Sequence, residues 1–285
     1  MKSPLLTTVV LAALAIIAFA GNSLLARAAL ADGAIEVGAY SAIRLLSGAL
    51  VLLPFLGAGP SRDDLPAGLA LAAYVAAFSL AYVDLGAGLG ALILFGFVQA
   101  TVLAVGLLRG ERLIARGWLG AALALAGLIY VLAPWQAIGA GLAALWPGLL
   151  MASAGIAWGA YTVIGRGAGT MPGGATGSTA RNFLIASVII APMALLDSGW
   201  PGWNGAILAV ISGVVTSALG YVVWYKVAPR LGLATIASVQ LATPVVAALG
   251  GVMLLSEELG ASLLIGGALI LGGIVLTLNA SKAAQ

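Results

Sequence analysis

Long apolar runs follow one another through almost the whole chain, and their length is the feature that most limits its fold. A helix needs about 20 mostly apolar residues to cross a bilayer. Only 7% of the 285 residues are charged and 62% are hydrophobic, whereas a soluble protein carries about 25% charged residues. With 12 basic and 9 acidic side chains, the chain cannot cover a water-facing surface of this size. We therefore predict an all-α integral membrane protein that is surrounded by membrane lipids.

Ten apolar segments have the length of a membrane span, and the breaks between them are rich in Gly, Pro, Asp and Asn. The first segment has an apolar core too long for a secretory signal peptide and no clear cleavage site before Arg27, so it is counted as a span. The ten predicted transmembrane helices are Pro4–Ala29, Ile35–Leu56, Leu65–Val83, Leu89–Leu108, Ile114–Leu132, Ala143–Ile164, Gly177–Leu196, Ala206–Val227, Leu233–Leu255 and Ala261–Leu278.

Basic residues predict how the helices are oriented, because cytoplasmic loops are enriched in Lys and Arg. If the N-terminus is cytoplasmic, the outer side holds only Arg27, apart from two arginines within spans. The inner loops and span ends then hold Lys2, Arg62, Arg109, Arg112, Arg116, Arg166, Lys226, Arg230 and Lys282. An even number of spans returns the chain to its starting side, so we predict that both termini are cytoplasmic.

Two parts of the chain resemble each other at a constant offset. The segment "LLRGERLIARGWLGAALALAG", residues 107–127, aligns without gaps with residues 253–273, and Glu111 matches Glu257. Weaker matches pair residues 18–27 with 157–166 and residues 41–46 with 178–183. We therefore predict two five-helix repeats, residues 1–136 and 137–285. Because five is odd, the second repeat is inverted in the membrane, an arrangement common in secondary transporters. The alternative is that duplication only enlarged a helical bundle.

Several short motifs at fixed spacing together resemble one transporter family. They are "LLRGERL" and "MLLSEEL" before a glycine-rich last helix of each repeat, "ATPVVAAL" ahead of Glu257, and "AWGAYTV" in the sixth span. With ten spans in two halves, the whole chain is similar to the drug/metabolite transporter superfamily of the EamA type. It most resembles the bacterial exporters of aromatic amino acids. The resemblance implies a multi-pass protein of the bacterial inner membrane that transports a small molecule.

The residues that are missing exclude several functions. The chain has no histidine and no cysteine, which removes histidine acid–base chemistry and metal sites built on these ligands. Because there are also no paired intramembrane aspartates, we do not expect an enzyme, and no cofactor is predicted. The small net charge of +3 gives no indication of nucleic-acid binding. A channel would normally show a charged ring or filter, and none is recognisable.

Polar and aromatic residues within the spans are the candidates for substrate contact, because polar groups in a bilayer are usually functional. Some share a helix face, such as Phe78 with Tyr82. Lipid contact or core packing is the alternative for the phenylalanines, and helix-to-helix hydrogen bonding is the alternative for the amides. The predicted substrate-binding residues are Asn22, Phe78, Tyr82, Phe95, Gln99, Trp158, Tyr161, Trp224 and Gln240.

Arg44 and Arg181 each lie early in the second helix of their repeat. A guanidinium at that depth requires carbonyl or carboxylate partners. We expect these arginines to tie helices together or to reach the headgroup region. In the alternative, one of them binds a substrate carboxylate.

The span centres contain no Asp or Glu, so the sequence shows no obvious buried carboxylate for proton coupling. We therefore expect a transporter that exports or exchanges small neutral or zwitterionic metabolites, aromatic amino acids in particular, by alternating access through a central cavity. Ten spans suffice for a complete pathway, so a monomer is expected. The alternative function is a proton-coupled drug/metabolite exporter of broad specificity, and an intramembrane enzyme is the more distant one.

Overall fold

The computed structural model describes residues 4–110, 114–132, 145–166, 168–228, 239–240 and 242–283, and the regular structure within these ranges is entirely helical. Short 3₁₀ helices flank some of the long helices, as at Leu53–Phe55 and Arg62–Asp64. The main helices are α1 (Pro4–Leu30), α2 (Val37–Leu52), α3 (Leu65–Ala81), α4 (Ala87–Leu108), α5 (Ala115–Leu132), α6 (Trp146–Gly165), α7 (Gly174–Ile190), α8 (Trp203–Val227), α9 (Ala242–Leu255) and α10 (Ala261–Ala283).

The structure supports the predicted membrane helices for eight of the ten segments. The helical regions that contain α1 to α8 are long and apolar enough to cross a bilayer. The other two apolar helices are shorter, at Ala242–Leu255 and Ala261–Thr277. Most of the first half of the predicted ninth span, which was expected to begin at Leu233, lies outside the described residues, as does Glu111. The chain is thus a multi-pass helical membrane protein with at least these eight candidate spans.

The helix contacts follow a regular pattern. Helix α6 packs against α3 and α4, while α1 packs against α8 and α9. Helix α7 packs against α2 and α3, and α8 also packs against α2. Two further contacts join α4 to α9 and α5 to α10. Each half of the sequence therefore packs mainly against the other half.

Helices α5 and α10 form a close pair that depends on glycine. A methyl group on Gly120 would lie 2.6 Å from the backbone oxygen of Gly273, and one on Gly273 would lie 2.5 Å from the backbone nitrogen of Ala124. There is no room for either methyl group, so only glycine allows the two backbones to approach this closely. The two glycine-rich helices therefore serve as packing elements, as their composition indicates.

Large apolar side chains cover the outside of the bundle. Ile17 on α1, Leu50 on α2 and Leu264 on α10 are all more than half exposed, as expected for side chains that face lipid. Trp200 and Trp203 are also exposed, next to the start of α8, where tryptophan suits the membrane–water interface. The polar and aromatic residues described below lie instead in the interior.

Candidate functional site

A small cavity lies in the interior of the bundle, between five helices. Its lining comes from α1, α3, α4, α6 and α8, and the space that the centre of a water molecule can reach is about 10 Å³. This is room for about one water molecule. The lining residues are Phe19, Asn22, Tyr74, Phe78, Leu94, Phe95, Trp158 and Tyr221.

Aromatic rings make up most of the cavity wall. The ring centroid of Trp158 lies 4.7 Å from that of Tyr221, 5.0 Å from that of Tyr74 and 5.7 Å from that of Phe19. These separations are within the range at which aromatic pairs attract each other. The rings are tilted or edge-on, so they fill the space closely and leave little of it empty. Trp158 from α6 lies at the centre of this aromatic cluster.

Four of the nine predicted substrate-binding residues line the cavity, namely Asn22, Phe78, Phe95 and Trp158. Each is at most 3% exposed. Lipid contact, the alternative considered for the two phenylalanines, is therefore wrong.

The other five predicted residues are not among the lining residues, and three of them pack against residues that are. The ring of Tyr82 packs on Phe78, that of Tyr161 on Trp158 and that of Trp224 on Phe19. Gln99 on α4 and Gln240 ahead of α9 are both buried. Among the residues that the structure describes, the Nε2 atom of Gln240 has no hydrogen-bond partner.

The sequence interpretation missed Phe19, Tyr74, Leu94 and Tyr221 as lining residues. Helical spacing could have identified three of them. Tyr74 lies one turn before Phe78, Phe19 lies three residues before Asn22, and Tyr221 lies three residues before Trp224, so each faces the same way as a predicted neighbour. Extending each predicted face by one turn would have found these three.

Helix α8 changes its geometry where it passes the cavity. Residues Ser212–Leu219 form a π-helical segment, with regular α-helix at Trp203–Ile211 and Gly220–Val227 on either side. Such wide turns are rare and occur often at functional sites. Gly213, which belongs to this segment, lies so close to α2 that an added methyl group would overlap the backbone oxygen of Arg44. The π segment therefore brings α8 directly against α2.

Hydroxyl groups of the π segment hold Asn22 in one orientation. The hydroxyl of Ser212 donates to Oδ1 of Asn22 at 2.6 Å, and that of Thr216 lies 3.2 Å from the same oxygen. Ser212 accepts in turn from the hydroxyl of Tyr40 at 2.9 Å. With its oxygen occupied, Asn22 turns Nδ2 towards the cavity and donates to the hydroxyl oxygen of Tyr74 at 3.2 Å.

Arg44 of α2 lies next to this network and is completely buried. Its Nε donates to Ser217 at 3.0 Å, and its Nη2 donates to the hydroxyl oxygens of Tyr74 and Tyr221 at 3.3 and 3.4 Å. The guanidinium carbon also lies 4.9 Å from the ring centroid of Phe78, close enough for a cation–π interaction. In the described ranges no carboxylate forms an ion pair with Arg44. A buried charge without a counter-charge costs on the order of several kcal/mol.

Arg181 of α7 has a different environment. Its Nε forms an ion pair with Asp64 at 2.9 Å, and both side chains are 2% exposed. Its Nη1 donates to the backbone oxygens of Pro172 at 2.7 Å and Leu56 at 3.2 Å. Leu56 and Asp64 lie between α2 and α3, and Pro172 lies just before α7. Of the two expected roles, tying helices together or reaching the headgroup region, the first is confirmed for Arg181.

At the opposite end of the bundle, Glu257 joins the ends of several helices, and the neighbouring Glu258 does not. Both carboxylate oxygens of Glu257 accept from the backbone nitrogen of Ala87 at 2.9 Å, at the first turn of α4. Arg27 lies 3.4 Å from Glu257 and donates to the backbone oxygen of Val83 at 2.8 Å. A carboxylate at a helix N-terminus is stabilised by the helix dipole. The first glutamate of "SEEL" therefore joins α1, α3 and α4, while the second is exposed.

The described residues of the site show no arrangement suited to a metal ion. The described part of the chain contains no group of three or more potential metal-ligating side chains. What the arrangement provides is a set of aromatic faces, an oriented amide and a buried guanidinium.

Comparisons with known proteins identify the family of this multi-pass helical membrane protein. The model of the EamA-like transporter family matches residues 145–279. The uncharacterised protein PA1977 of Pseudomonas aeruginosa is 48% identical over 278 residues, which cover 95% of this chain and 94% of that protein. One crystal structure has a TM-score of 0.66 to this fold at 22% identity, over 96% of this chain and 98% of its own. The chain belongs to the EamA-like transporter family of the drug/metabolite transporter superfamily.

Proposed function

We propose that the chain is a secondary transporter that moves small zwitterionic or neutral aromatic metabolites, in particular aromatic amino acids, through the central cavity. The observation that supports this most is the cavity itself. It lies in the interior of the bundle, where helices from both halves of the sequence meet, and it is lined by rings and one oriented amide. Such a lining suits a substrate that carries a ring and a polar head.

The pattern of helix contacts supports two inverted five-helix units, residues 1–136 and 137–285. Helix α1 corresponds to α6, α2 to α7, and so on up to α5 and α10. When every helix is exchanged for its counterpart, the contact of α3 with α6 becomes that of α8 with α1. The contacts of α4 with α6 and of α9 with α1 are related in the same way. The pairs α2–α7, α4–α9 and α5–α10 are each returned to themselves. Such an arrangement allows one unit to rock against the other.

The cavity is closed in this conformation. Space for about one water molecule is too small for any metabolite, so loading requires the lining helices to separate. At one end Glu257 and Arg27 join the ends of helices, and at the other end Asp64 and Arg181 do so. Alternating access then consists of opening one of these ends while the other stays closed. In our proposal the protein lies in the bacterial inner membrane with both termini cytoplasmic and the Glu257 end outside.

Transport of radiolabelled phenylalanine or tryptophan into proteoliposomes tests this proposal. We expect saturable uptake, well below the flux of a channel. Replacement of Trp158 by Ala removes the central ring of the lining and should raise the KM about tenfold, the equivalent of roughly 1.4 kcal/mol of lost binding free energy. Trp200→Ala is the matched control, because Trp200 is 99% exposed and should leave the KM unchanged.

Two results would contradict the proposal. One is flux that rises linearly with substrate concentration and equals that of empty liposomes. The other is the same KM for the wild-type protein and for the variant Trp158→Ala. Collapsing a pH gradient across the liposome membrane also distinguishes the modes of coupling, because a rate that depends on the gradient favours the proton-coupled alternative.

A further inference from the structure

Near the cavity, the described part of the chain contains buried hydrogen-bond donors that have no acceptor. Three buried N–H groups in or beside the aromatic cluster, Nη1 of Arg44, Nε1 of Trp158 and Nε1 of Trp224, have no partner within the described part of the chain. Unlike hydroxyls, these groups can only donate, so each requires an oxygen acceptor that the described residues do not provide. A buried donor left without an acceptor is costly. The deficit indicates a ligand that brings acceptor oxygens.

The hydrogen-bond network adds to this deficit. The hydroxyl oxygen of Tyr74 accepts from Nδ2 of Asn22 and from Nη2 of Arg44, and that of Tyr221 also accepts from Nη2 of Arg44. Because the oxygen of Tyr74 is used as an acceptor twice, any further hydrogen bond of this hydroxyl uses its proton as the donor. Tyr74, Tyr221 and Asn22 all line the cavity. The guanidinium and the amide therefore orient hydroxyl donors at the cavity wall.

The charge of Arg44 also favours a ligand that brings acceptor oxygens. The Arg44 guanidinium is fully buried, and each described carboxylate lies outside ion-pair distance from it. An anionic group bound next to Tyr74 and Tyr221 would supply the missing counter-charge. Hydrogen bonds in which one partner is ionised are about twice as strong as neutral ones.

From these observations we infer that Arg44, together with Tyr74, Tyr221 and Asn22, forms a receptor for the carboxylate of the substrate, while the aromatic rings bind its apolar part. This inference rests on the proposed transport function and makes its substrate class more specific. Among the described residues, those that line the cavity include no carboxylate that could pair with an ammonium group. The substrate carboxylate is therefore required, whereas the ammonium group of an amino acid is dispensable and meets only ring faces.

Competition between three related compounds tests the inference on the purified full-length protein. Binding of radiolabelled phenylalanine is measured against 3-phenylpropionate, which keeps the carboxylate and lacks the amine, and against 2-phenylethylamine, which keeps the amine and lacks the carboxylate. Phenylalaninamide, in which an uncharged amide replaces the carboxylate, is the third competitor. We expect 3-phenylpropionate to compete within about threefold of phenylalanine itself, and the other two to be at least thirtyfold weaker. Equal competition by the amine or the amide would overturn the inference.

Variants then assign the preference to the named residues. Arg44→Gln should reduce the ratio of carboxylate to amide affinity at least tenfold, and Tyr221→Phe, which removes one hydroxyl, should reduce it severalfold. Arg181→Lys is the matched control, because this arginine lies outside the cavity lining and already has a carboxylate partner. It should leave the ratio unchanged. If Arg44→Gln keeps the wild-type ratio in protein that elutes as a single folded species, Arg44 is not the receptor.

The outcomes separate this inference from the proposed function. If phenylalanine is neither bound nor transported, and none of its three analogues is, the proposed function itself fails. If transport is saturable but the amine and the amide compete as well as the carboxylate, transport stands and the receptor is wrong. Should Arg44→Gln fail to fold, the three-compound series on the wild-type protein and the Tyr221→Phe variant still decide the question.

Discussion

Arg44 and Arg181 occupy matching places in the two halves of the sequence, yet they meet opposite surroundings. Both lie near the middle of their helices, α2 and α7, and both side chains are buried. Arg181 is neutralised by Asp64 at one end of the bundle. Arg44 instead points into the interior, where it meets hydroxyls and rings. Arg181 thus has its counter-charge within the described part of the chain, whereas the counter-charge of Arg44 is supplied, in our proposal, by the substrate.

Two local differences explain why the surroundings of the two arginines differ. Asp64 occupies the N-cap position of α3, whereas the N-cap of α8 is Gly202, which has no carboxylate to offer. Helix α3 is also a regular α-helix, whereas α8 contains the π segment that brings Ser217 against Arg44. The comparison teaches that a similar sequence pattern places a charged residue at a similar position along its helix. The partner of that residue depends on substitutions in the neighbouring helices.

The largest effect should come from removal of the carboxylate that completes the Arg181 site. Asp64→Ala leaves a buried guanidinium without its partner, which costs about 3–5 kcal/mol in the free energy of unfolding. The measurement is thermal unfolding of the purified protein in detergent. Asp63→Ala is the matched control, because its side chain is adjacent and exposed and should change the stability by less than about 0.5 kcal/mol. Equal stability of the two variants would remove the basis for contrasting Arg181 with Arg44.

The smallest effect should come from a change in the ion pair between Arg27 and Glu257. This ion pair is 20–25% exposed, and exposed pairs contribute only about 0–1 kcal/mol. Glu257→Gln should therefore cost about 1 kcal/mol, mainly through the weaker cap on α4. It should also speed hydrogen exchange at the backbone amide of Ala87. Glu258→Gln is the neighbouring control, and the same exchange rate in both variants would show that Glu257 does not cap α4.

The sequence allowed the helical architecture to be predicted because apolar runs of about 20 residues leave few alternatives in a membrane. The helix ends agree less well. The second span was predicted as Ile35–Leu56, whereas α2 is Val37–Leu52 followed by a 3₁₀ turn. The structure supports eight long candidate spans, while the inverted repeat stays a prediction.

The candidate site was predictable only in part, and the reason is the distance in sequence between the groups that meet. Helical spacing identifies which residues of one helix share a face, so Phe78 and Trp158 were found from their own helices. It does not show which helices meet. Asp64 and Arg181 are 117 positions apart, and no local pattern links them. The π segment was also missed, because residues 212–219 read as an ordinary apolar helix.

In our proposal, the cavity beside Arg44 is the passage for substrate and opens to each side of the membrane in turn. Because the chain contains no cysteine, a single Leu94→Cys variant allows labelling of the cavity lining without background. Ile17→Cys, on the lipid-facing side of α1, is the control and should not react, since a thiol in hydrocarbon does not ionise.

The most direct test applies a membrane-impermeant thiol reagent to membrane vesicles of both orientations that contain Leu94→Cys. We expect labelling from both faces, slowed by 3-phenylpropionate in each case. Labelling from one face only, while the variant still transports, would contradict the proposal.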